Sequence, residues 1–359
     1  MPDPHDRPSP VLPGARLTRV LAEFVRTEAA GGVALFLAAA VALTWANSPA
    51  GDGYVTVWHT AVRLRVHSVG FSGDARHLVN EGLMTLFFLV VGLEIKRELV
   101  AGDLREWRTA ALPAIAAVGG MVVPALVYVA VNAGRPGARG WGIPMATDIA
   151  FAVGVVALLG RRVPSSLKLF LLTLAIVDDV GAIVVIALFY SAGISLGALL
   201  VAAVTLAAMA GLRSVGVTWL PVFVVLGAGV WLALYESGVH ATIAGAVLGL
   251  LAPVAVAERL EHVLHPLTSF VIVPLFALAN AGIVLGGGAL DAPGATRIAL
   301  GVGLGLVVGK LVGVSVASWL AVRLGIGSLP EGVGWGQLIG VAGLAGIGFT
   351  VSLFVAGLA

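Results

Sequence analysis

The sequence predicts an all-α polytopic membrane protein, and its composition and hydropathy are the observations that predict it. Of the 359 residues, 59% are hydrophobic and only 11% are charged, whereas an ordinary soluble domain has about 25% charged residues. The mean hydropathy is +1.04. A soluble fold of this length would need far more polar side chains to cover its surface. The composition therefore excludes a soluble enzyme, a disordered scaffold and a nucleic-acid-binding module.

Eleven apolar runs are each long enough to cross about 30 Å of hydrocarbon. Backbone polar groups must be satisfied internally in lipid, and the runs lack the strict alternation of barrel strands, so each run is predicted to be helical. The polar tail 1–28 is predicted to lie in the cytoplasm, and 29–359 is predicted to form a single transmembrane domain. The runs are 29–46, 77–99, 110–131, 141–160, 166–190, 194–212, 217–236, 238–254, 265–285, 296–322 and 335–359.

The basic residues predict the orientation of the chain in the membrane. With a cytoplasmic N-terminus, most Lys and Arg residues fall in cytoplasmic connections, as the positive-inside rule requires. The net charge of +2 is small and dispersed, so it does not indicate a nucleic-acid partner. An odd number of spans places Ala359 outside without a polar flank. We therefore expect that a partner helix is missing after the eleventh run.

Four ionisable residues lie near the middle of apolar runs: Asp148, Asp178, Asp179 and Lys310. A charge at the centre of a bilayer costs about 2.5–3.5 kcal/mol, so such residues usually pair, face a wet cavity, or carry protons or ions. A buried ion pair that fixes helix packing accounts for Lys310 and one aspartate. It does not account for three carboxylates, because two acids would remain unpaired.

Asp178 and Asp179 are neighbours on one predicted helix, so their side chains point about 100° apart. We expect one of them to line a cavity and the other to reach a neighbouring helix or a basic partner. Burial raises the pKa of a carboxylate and a nearby cation lowers it. A site with both influences can therefore exchange a proton for a metal ion near physiological pH. Hard oxygen ligands favour Na⁺ or Li⁺ over a soft metal.

Two runs carry sequence features that interrupt helices. Segment 142–148 contains Pro144 and the polar pair Thr147 and Asp148, and segment 343–350 contains several glycines. Close helix packing explains each feature alone, but together they are typical of paired broken helices at a transporter midplane. Asp148 and Lys310 would then balance the partial charges of the half-helix ends. Thr147 serves either as a hydroxyl ligand or as a helix cap.

Ionisable residues near the ends of runs form a second group. Glu94, Arg97 and Glu98 close the second run, and Glu261, His262 and His265 stand at the start of the ninth. Because histidine titrates near neutral pH, these clusters are predicted to respond to cytoplasmic pH. A snorkelling helix end with internal ion pairs explains the first cluster equally well. His240 begins the eighth run, where a structural role is the more common one, and Glu81 lies near the start of the second.

Seven blocks of sequence, in order along the chain, carry a resemblance to a known family. They are FFLVVGLEIKRE at 87–98, ATDIAF at 146–151, AIVDD at 175–179, GVHAT at 238–242, RLEHVLHP at 259–266, GK at 309–310 and GIGFT at 346–350. These blocks resemble the NhaA-type Na⁺/H⁺ antiporters, and the similarity runs from about residue 20 to the end. The resemblance implies an inverted-repeat fold with two interrupted, crossing helices.

The resemblance also implies a function and assigns roles to residues. The family exports Na⁺ or Li⁺ while importing a larger number of protons, so transport is electrogenic and serves sodium and pH homeostasis at the bacterial inner membrane. Asp179 matches the main cation-binding and proton-carrying acid. Asp178 matches its neighbour, which assists at the Na⁺ site and can pair with Lys310. Asp148 and Lys310, with Thr147 beside them, match the residues that balance the helix crossing. The pH response is assigned to Glu94, Arg97, Glu98, Glu261, His262, His265 and His240.

Two features depart from the family pattern. Glu81 stands where the better-known members carry Asp, so we expect a tuned site with its charge retained. The family has twelve spans, whereas eleven runs are found here. The missing span would be the inverted counterpart of the one that carries Asp178 and Asp179.

Two other functions remain open from the residues alone. An intramembrane aspartyl hydrolase would use Asp148 with Asp178 or Asp179, although Lys310 would tend to keep both acids ionised. A Na⁺-coupled symporter would need a roomier pocket for an organic solute. No cofactor is expected; the expected partners are Na⁺, Li⁺ and H⁺ as substrates, the lipid bilayer, and by analogy a second copy bound through the loop 47–76.

Overall fold

The architecture is that of a computed structural model, which describes residues 13–66, 69–191, 193–217, 219–286 and 294–359. Side chains are not described at 13–28, 64–66, 69–70, 103, 136, 161, 254–255 and 258. The predicted cytoplasmic tail 1–28 therefore lies outside the described residues at 1–12 and contributes backbone only at 13–28. The part from Pro13 onward is helical and continuous with the first apolar run.

The chain is predominantly helical, which confirms the predicted fold class. The helices are α1 (Pro13–Ala46), α2 (Gly51–Trp58), α3 (Ala75–His77), α4 (Met84–Ala101), α5 (Trp107–Asn132), α6 (Ile149–Leu159), α7 (Ser165–Phe189), α8 (Leu196–Ser214), α9 (Leu220–Ser237), α10 (Thr242–Leu251), α11 (Val254–Leu267), α12 (Val273–Asn280), α13 (Ala295–Leu304), α14 (Lys310–Arg323), α15 (Trp335–Leu344) and α16 (Phe349–Leu358). The π-helical turns Leu78–Leu83, Thr268–Ile272 and Gly305–Gly309 join neighbouring helices into longer ones.

Each of the eleven apolar runs overlaps a helix or a helix pair in this structure. Within the described residues, eight helical stretches are long and apolar enough to cross a membrane, and α15 with α16 form a bent pair that raises the number to nine. The runs 141–160 and 238–254 contain only the shorter apolar helices α6 and α10. The eleven runs therefore mark apolar helices correctly, but not all of these helices are of full membrane-spanning length.

The connection 47–76, expected as a loop, contains α2 and a β-hairpin. Strands β1 (Ala61–Val66) and β2 (Val69–Asp74) pair antiparallel, with Ala61 opposite Asp74 and Val66 opposite Val69. The sequence of β1 alternates apolar and basic residues, which is the period of a strand, but the segment is too short to stand out among long apolar runs. Phe71 of β2 is buried against Tyr235 of α9, with ring centroids 5.6 Å apart.

Asp74 fixes the junction between the hairpin and α3. Its carboxylate accepts a hydrogen bond from the His77 backbone N–H at 2.7 Å and lies 2.8 Å from His59 Nδ1. Partial burial acts to raise the pKa of Asp74, but the hydrogen bonds from His77 and His59 and the charges of His59 and Arg76 outweigh it, so the pKa is lowered. The hairpin is thus anchored by a carboxylate that stays ionised at neutral pH.

Helices α4 and α10 approach each other closely because glycines lie at their contact. A Cβ atom on Gly245 would lie 2.0 Å from the Thr85 carbonyl oxygen, and one on Gly92 would lie 2.4 Å from the Ala246 carbonyl oxygen. Small residues allow such backbone contacts between membrane helices, where packing rather than hydrophobicity drives association. This contact holds the helix that carries Glu94 and Arg97 against the segment that follows His240.

We predict that Gly245→Ala lowers the thermal unfolding temperature of the purified protein by several degrees, because the added methyl overlaps the α4 backbone. Gly229→Ala on α9 is the matched control, since a Cβ there meets nothing within 4 Å and alanine favours the helix. Fluorescence-detected size exclusion after heating measures both variants. Equal unfolding temperatures for the two would contradict the close contact.

Candidate cation site

Two helix interruptions meet in the interior of the protein. The first comprises 143–148, between a 3-10 turn at Pro136–Gly142 and the start of α6, and the second comprises 345–348, where α15 and α16 meet with a bend of 45°. The Asp148 backbone N–H donates to the Ile347 carbonyl oxygen at 2.6 Å. Gly348 permits this approach, because a Cβ there would lie 2.8 Å from the Ala146 carbonyl oxygen.

Asp148 caps the N-terminal ends of two helices at once. Its Oδ1 accepts from the Phe151 N–H of α6 at 3.1 Å, and its Oδ2 accepts from the Thr350 N–H at 3.0 Å and the Thr350 hydroxyl at 2.7 Å, both at the start of α16. A carboxylate is favourable at a helix N-terminus because it satisfies N–H groups that lack helical partners and compensates the positive end of the dipole. These hydrogen bonds give Asp148 a structural role, in which its charge holds the two interruptions together.

Asp178 is paired with Lys310 inside the protein. Both side chains are completely buried, and Asp178 Oδ2 forms a salt bridge with Lys310 Nζ and lies 2.6 Å from the Thr147 hydroxyl. Lys310 also donates to Thr147 Oγ1 at 3.1 Å, and that oxygen lies 2.9 Å from the Ala345 carbonyl at the end of α15. The lysine charge therefore lies close to the C-terminal end of a half-helix, where a cation is favourable.

Asp179 lies in a different environment from its neighbour. It is 5% exposed and lines a cavity, whereas Asp178 is not among the residues that line it. Within the described part of the chain, the Asp179 carboxylate makes no hydrogen bond or salt bridge. The polar residues of the cavity wall are Glu94, Thr147, Asp148, Asp179, His265, Thr268, Ser269 and Thr350. Adjacent residues on a helix point about 100° apart, so one acid was expected to line a cavity and the other to reach a basic partner. Asp179 and Asp178 have these two positions.

Six of the seven residues expected to respond to pH lie near the C-terminal part of α4, and His240 is the exception. Arg97 forms salt bridges with Glu261 of α11 and with Glu98, the latter at 3.5 Å. His265 Nε2 lies 4.0 Å from Glu94 Oε1, and both residues line the cavity that holds Asp179. His262 is exposed and forms no ion pair with the described side chains. The structure therefore joins five of these six residues in two ion-paired groups.

Glu81 and His240 are in contact beside the N-terminal end of α4 and the C-terminal end of α7. His240 Nδ1 lies 3.3 Å from Glu81 Oε1, and its Nε2 lies 3.0 Å from the carbonyl oxygen of Tyr190, which follows α7. Glu81 Oε2 also accepts from the Ala241 N–H at 3.1 Å. Both ring nitrogens of His240 face acceptors, an arrangement that the doubly protonated ring satisfies in full. Sequence reasoning singled out both side chains but not their pairing.

Sequence reasoning assigned no role to Thr350 or Tyr190. Thr350 lies in the block GIGFT at 346–350, which supported the resemblance, and its contact with Asp148 depends on the second interruption. The Tyr190 hydroxyl accepts from the Gly142 N–H at 3.0 Å and donates to the Arg139 carbonyl at 2.7 Å, next to the first interruption. Nothing in the spacing of Tyr190 distinguishes it from other aromatic residues at the ends of membrane helices.

Among the described residues, no three His, Cys, Asp or Glu side chains form a group that could hold a metal ion. The site is instead one buried carboxylate on a cavity wall, beside a neutralised pair and a capping acid. A carboxylate in this setting can bind either a proton or a hard cation, but not both at the same oxygen.

Comparison with known proteins identifies the family. The model of the family Na⁺/H⁺ antiporter 1 matches residues 22–359. The chain belongs to this family. It is 50% identical over 348 residues to the Na⁺/H⁺ antiporter NhaA of Shigella dysenteriae, covering 94% of this chain and 89% of the relative. It is 49% identical over 348 residues to NhaA of Vibrio alginolyticus, covering 95% and 88%, and 45% identical over 394 residues to NhaA 3 of Frankia alni, covering 98% and 85%.

Family membership confirms the resemblance drawn from the sequence. The antiporter is a multi-pass membrane transporter and not an enzyme, so the aspartyl hydrolase alternative is wrong. Na⁺ and H⁺ are the substrates that the family exchanges. The roles of the individual residues remain predictions, because family membership alone does not test them.

We predict that Asp148→Ala destabilises the antiporter more than Asp179→Ala does. The first variant removes three hydrogen bonds that cap α6 and α16, and loss of a helix cap typically costs about 1 kcal/mol. The second removes a buried carboxylate that accepts no hydrogen bond from the described residues, so its unfolding temperature should equal or exceed that of the wild type. An Asp148→Ala protein as stable as Asp179→Ala would refute the capping role.

Proposed function

We propose that this antiporter exports Na⁺, and also Li⁺, from the cytoplasm in exchange for a larger number of imported protons. The observation that carries the proposal is the position of Asp179. It lines the cavity and forms no salt bridge or hydrogen bond within the described residues, whereas Asp178 is paired with Lys310 and Asp148 caps two helices. Asp179 is therefore the acid best placed to bind and release an ion.

Competition at Asp179 explains the exchange. A proton and a Na⁺ ion cannot share the same carboxylate oxygens, so binding of one displaces the other. If the site opens to one side of the membrane at a time, this exclusion couples the two fluxes. Movement of more protons than Na⁺ ions makes each cycle electrogenic, so the membrane potential contributes to the driving force. Asp178 and Lys310 support this site by setting its local charge.

Residues of the two interruptions, or next to them, form part of the cavity wall. We propose that α15–α16 and the segment containing α6 are the two interrupted, crossing helices of an inverted-repeat fold. Asp148 compensates the two N-terminal half-helix ends, while Lys310 compensates the opposite end near Ala345 through Thr147. The interruptions can then lie in the membrane interior because side chains and the facing backbone satisfy their polar groups.

We place the antiporter in the bacterial inner membrane with its N-terminus in the cytoplasm. Glu94 and His265 line the cavity, and Glu94 lies beside Lys96 and Arg97 in the C-terminal part of α4. Basic residues at the end of a membrane helix favour the cytoplasmic side. The cavity is therefore the proposed route from the cytoplasm to Asp179. The hairpin β1–β2 in the connection 47–76 is the proposed contact between two copies.

Regulation by cytoplasmic pH is proposed for the ion-paired groups beside this route. Glu94 with His265, and Arg97 with Glu98 and Glu261, link α4 to α11 at the cavity side of the protein. Protonation changes the charge balance of these contacts, so the packing of the two helices depends on pH. Deprotonation at alkaline pH is proposed to favour the active arrangement.

We predict that Asp179→Asn abolishes proton-driven Na⁺ uptake into everted vesicles, which corresponds to Na⁺ export from the cell, because the amide cannot exchange a proton for a cation. Asp52→Asn is the matched control, since Asp52 is exposed on the short helix α2. Dequenching of a fluorescent pH probe after addition of Na⁺ measures the exchange. Ordinary exchange by Asp179→Asn at wild-type expression would reject the assignment.

We predict that exchange by the wild type rises between about pH 6.5 and 8.5 and that Glu261→Gln moves this rise to higher pH by at least about half a unit. The amide mimics the protonated acid and removes the salt bridge with Arg97. Glu331→Gln, at an exposed position outside the helices, serves as the control. A wild-type rate that is flat across this range, or a Glu261→Gln profile identical to the wild type, argues against the proposed regulation.

A further inference from the structure

We infer that the Thr350 hydroxyl is a direct oxygen ligand of the transported cation and helps to set the preference between Na⁺ and Li⁺. This inference rests on the proposed function, in which Asp179 binds the cation. Thr350 and Asp179 line the same cavity although they lie on different helices, α16 and α7.

Asp179 needs further oxygen ligands to hold a hard cation. Such ions take several oxygens from carboxylates, hydroxyls, carbonyl groups and water. Asp178 Oδ2 is engaged by Lys310, and Asp148 accepts three hydrogen bonds at the helix ends. Asp178 Oδ1 has no hydrogen-bond partner among the described residues, but Asp178 does not line the cavity. Oxygens of the cavity wall, neutral hydroxyls among them, are therefore the available further ligands.

The hydrogen bonding of Thr350 prepares its oxygen for a cation. A hydroxyl has one hydrogen to donate and two lone pairs. Thr350 donates that hydrogen to Asp148 Oδ2 at 2.7 Å, and its backbone N–H donates to the same oxygen at 3.0 Å. The two bonds fix the side chain, which is 3% exposed. With its hydrogen directed at Asp148, the hydroxyl oxygen can only accept, and a cation in the cavity is the partner that this polarity favours.

The other two threonines of the cavity wall are less suited to this role. Thr147 Oγ1 already accepts from Lys310 Nζ at 3.1 Å, so its oxygen faces a fixed positive charge. Thr268 donates to the His265 carbonyl at 2.9 Å within its own helix, a common arrangement for a helical threonine. Thr147 also contacts an acid, Asp178, at 2.6 Å, but its oxygen accepts from Lys310. The Thr350 hydroxyl donates to Asp148 and, among the described residues, accepts from no cation.

Asp148 also affects the strength of Thr350 as a ligand. By accepting from Thr350, its carboxylate polarises the hydroxyl and makes the oxygen a stronger ligand, since hydrogen bonds to charged groups are the strong ones. The ligand is then held by the cap that also joins α6 and α16. Because the hydroxyl and the backbone N–H of Thr350 both bond Asp148 Oδ2, the hydroxyl is held in place, and its distance to a cation at Asp179 cannot adjust freely to ions of different radius.

The test replaces the hydroxyl while keeping the side chain volume. We expect Thr350→Val to raise the KM for Na⁺ by about five- to tenfold in proteoliposomes, as for loss of one charged hydrogen bond, and to change the ratio of KM for Li⁺ and Na⁺. Thr350→Cys retains a weak donor for Asp148 but offers a soft sulfur to the cation, so it should raise KM as well. Thr350→Ser retains the oxygen and should stay within about twofold of the wild type.

Thr173→Val is the matched control, because Thr173 is equally buried on α7 and donates to the Leu169 carbonyl at 3.0 Å, but it does not line the cavity. Calorimetric titration of the purified variants with NaCl separates binding from turnover. Unchanged Na⁺ affinity in both Thr350→Val and Thr350→Cys, with only lower stability or Vmax, would overturn the inference and leave Thr350 as a structural partner of Asp148. Retained exchange by Asp179→Asn would instead overturn the proposed function.

Discussion

The contact between two helix interruptions is the constraint on which the site depends. Membrane interiors offer no water to exposed backbone groups, so unwound segments must find partners within the protein. Asp148 provides them: its backbone N–H bonds Ile347, and its carboxylate caps the starts of α6 and α16. The close approach that this requires is possible because Gly348 carries no side chain against the Ala146 carbonyl. Thr147, Asp178 and Lys310 are hydrogen-bonded beside these helix ends, and Asp179 lines the cavity next to them.

Three acids in one membrane interior have three different environments. Asp148 is held by backbone donors, Asp178 is neutralised by Lys310, and Asp179 lines the cavity. A low-dielectric interior does not tolerate three uncompensated carboxylates, so compensating two of them leaves one acid for the proposed exchange of a proton and a cation. The same logic explains why only one lysine is needed. Its charge serves Asp178 directly and lies near the carbonyl end of α15 through Thr147.

The sequence predicted the helical membrane fold and the buried charges because both depend on local composition. It also predicted that Asp178 and Asp179 face different surroundings, since the helix period alone requires this. Composition and helix period alone did not predict which acid meets Lys310, because that depends on where α14 packs against α7; only the family resemblance implied a pairing with Asp178. The salt bridge between Arg97 and Glu261, the β-hairpin and the bond from Thr350 to Asp148 likewise depend on long-range contacts. Family resemblance gave roles to residues, and the geometry describes the surroundings on which those of Asp148, Asp178, Asp179 and Lys310 depend.

The central claim is that one carboxylate, Asp179, holds either a proton or a cation. Proton release on addition of NaCl to the purified protein tests it most directly, because it requires no membrane and no gradient. In weakly buffered detergent solution near pH 8, the wild type should release protons in a saturable manner, and Asp179→Asn should release none. Release by Asp179→Asn equal to that of the wild type would contradict the claim, and so would the absence of release from a wild-type protein that binds Na⁺ in calorimetry.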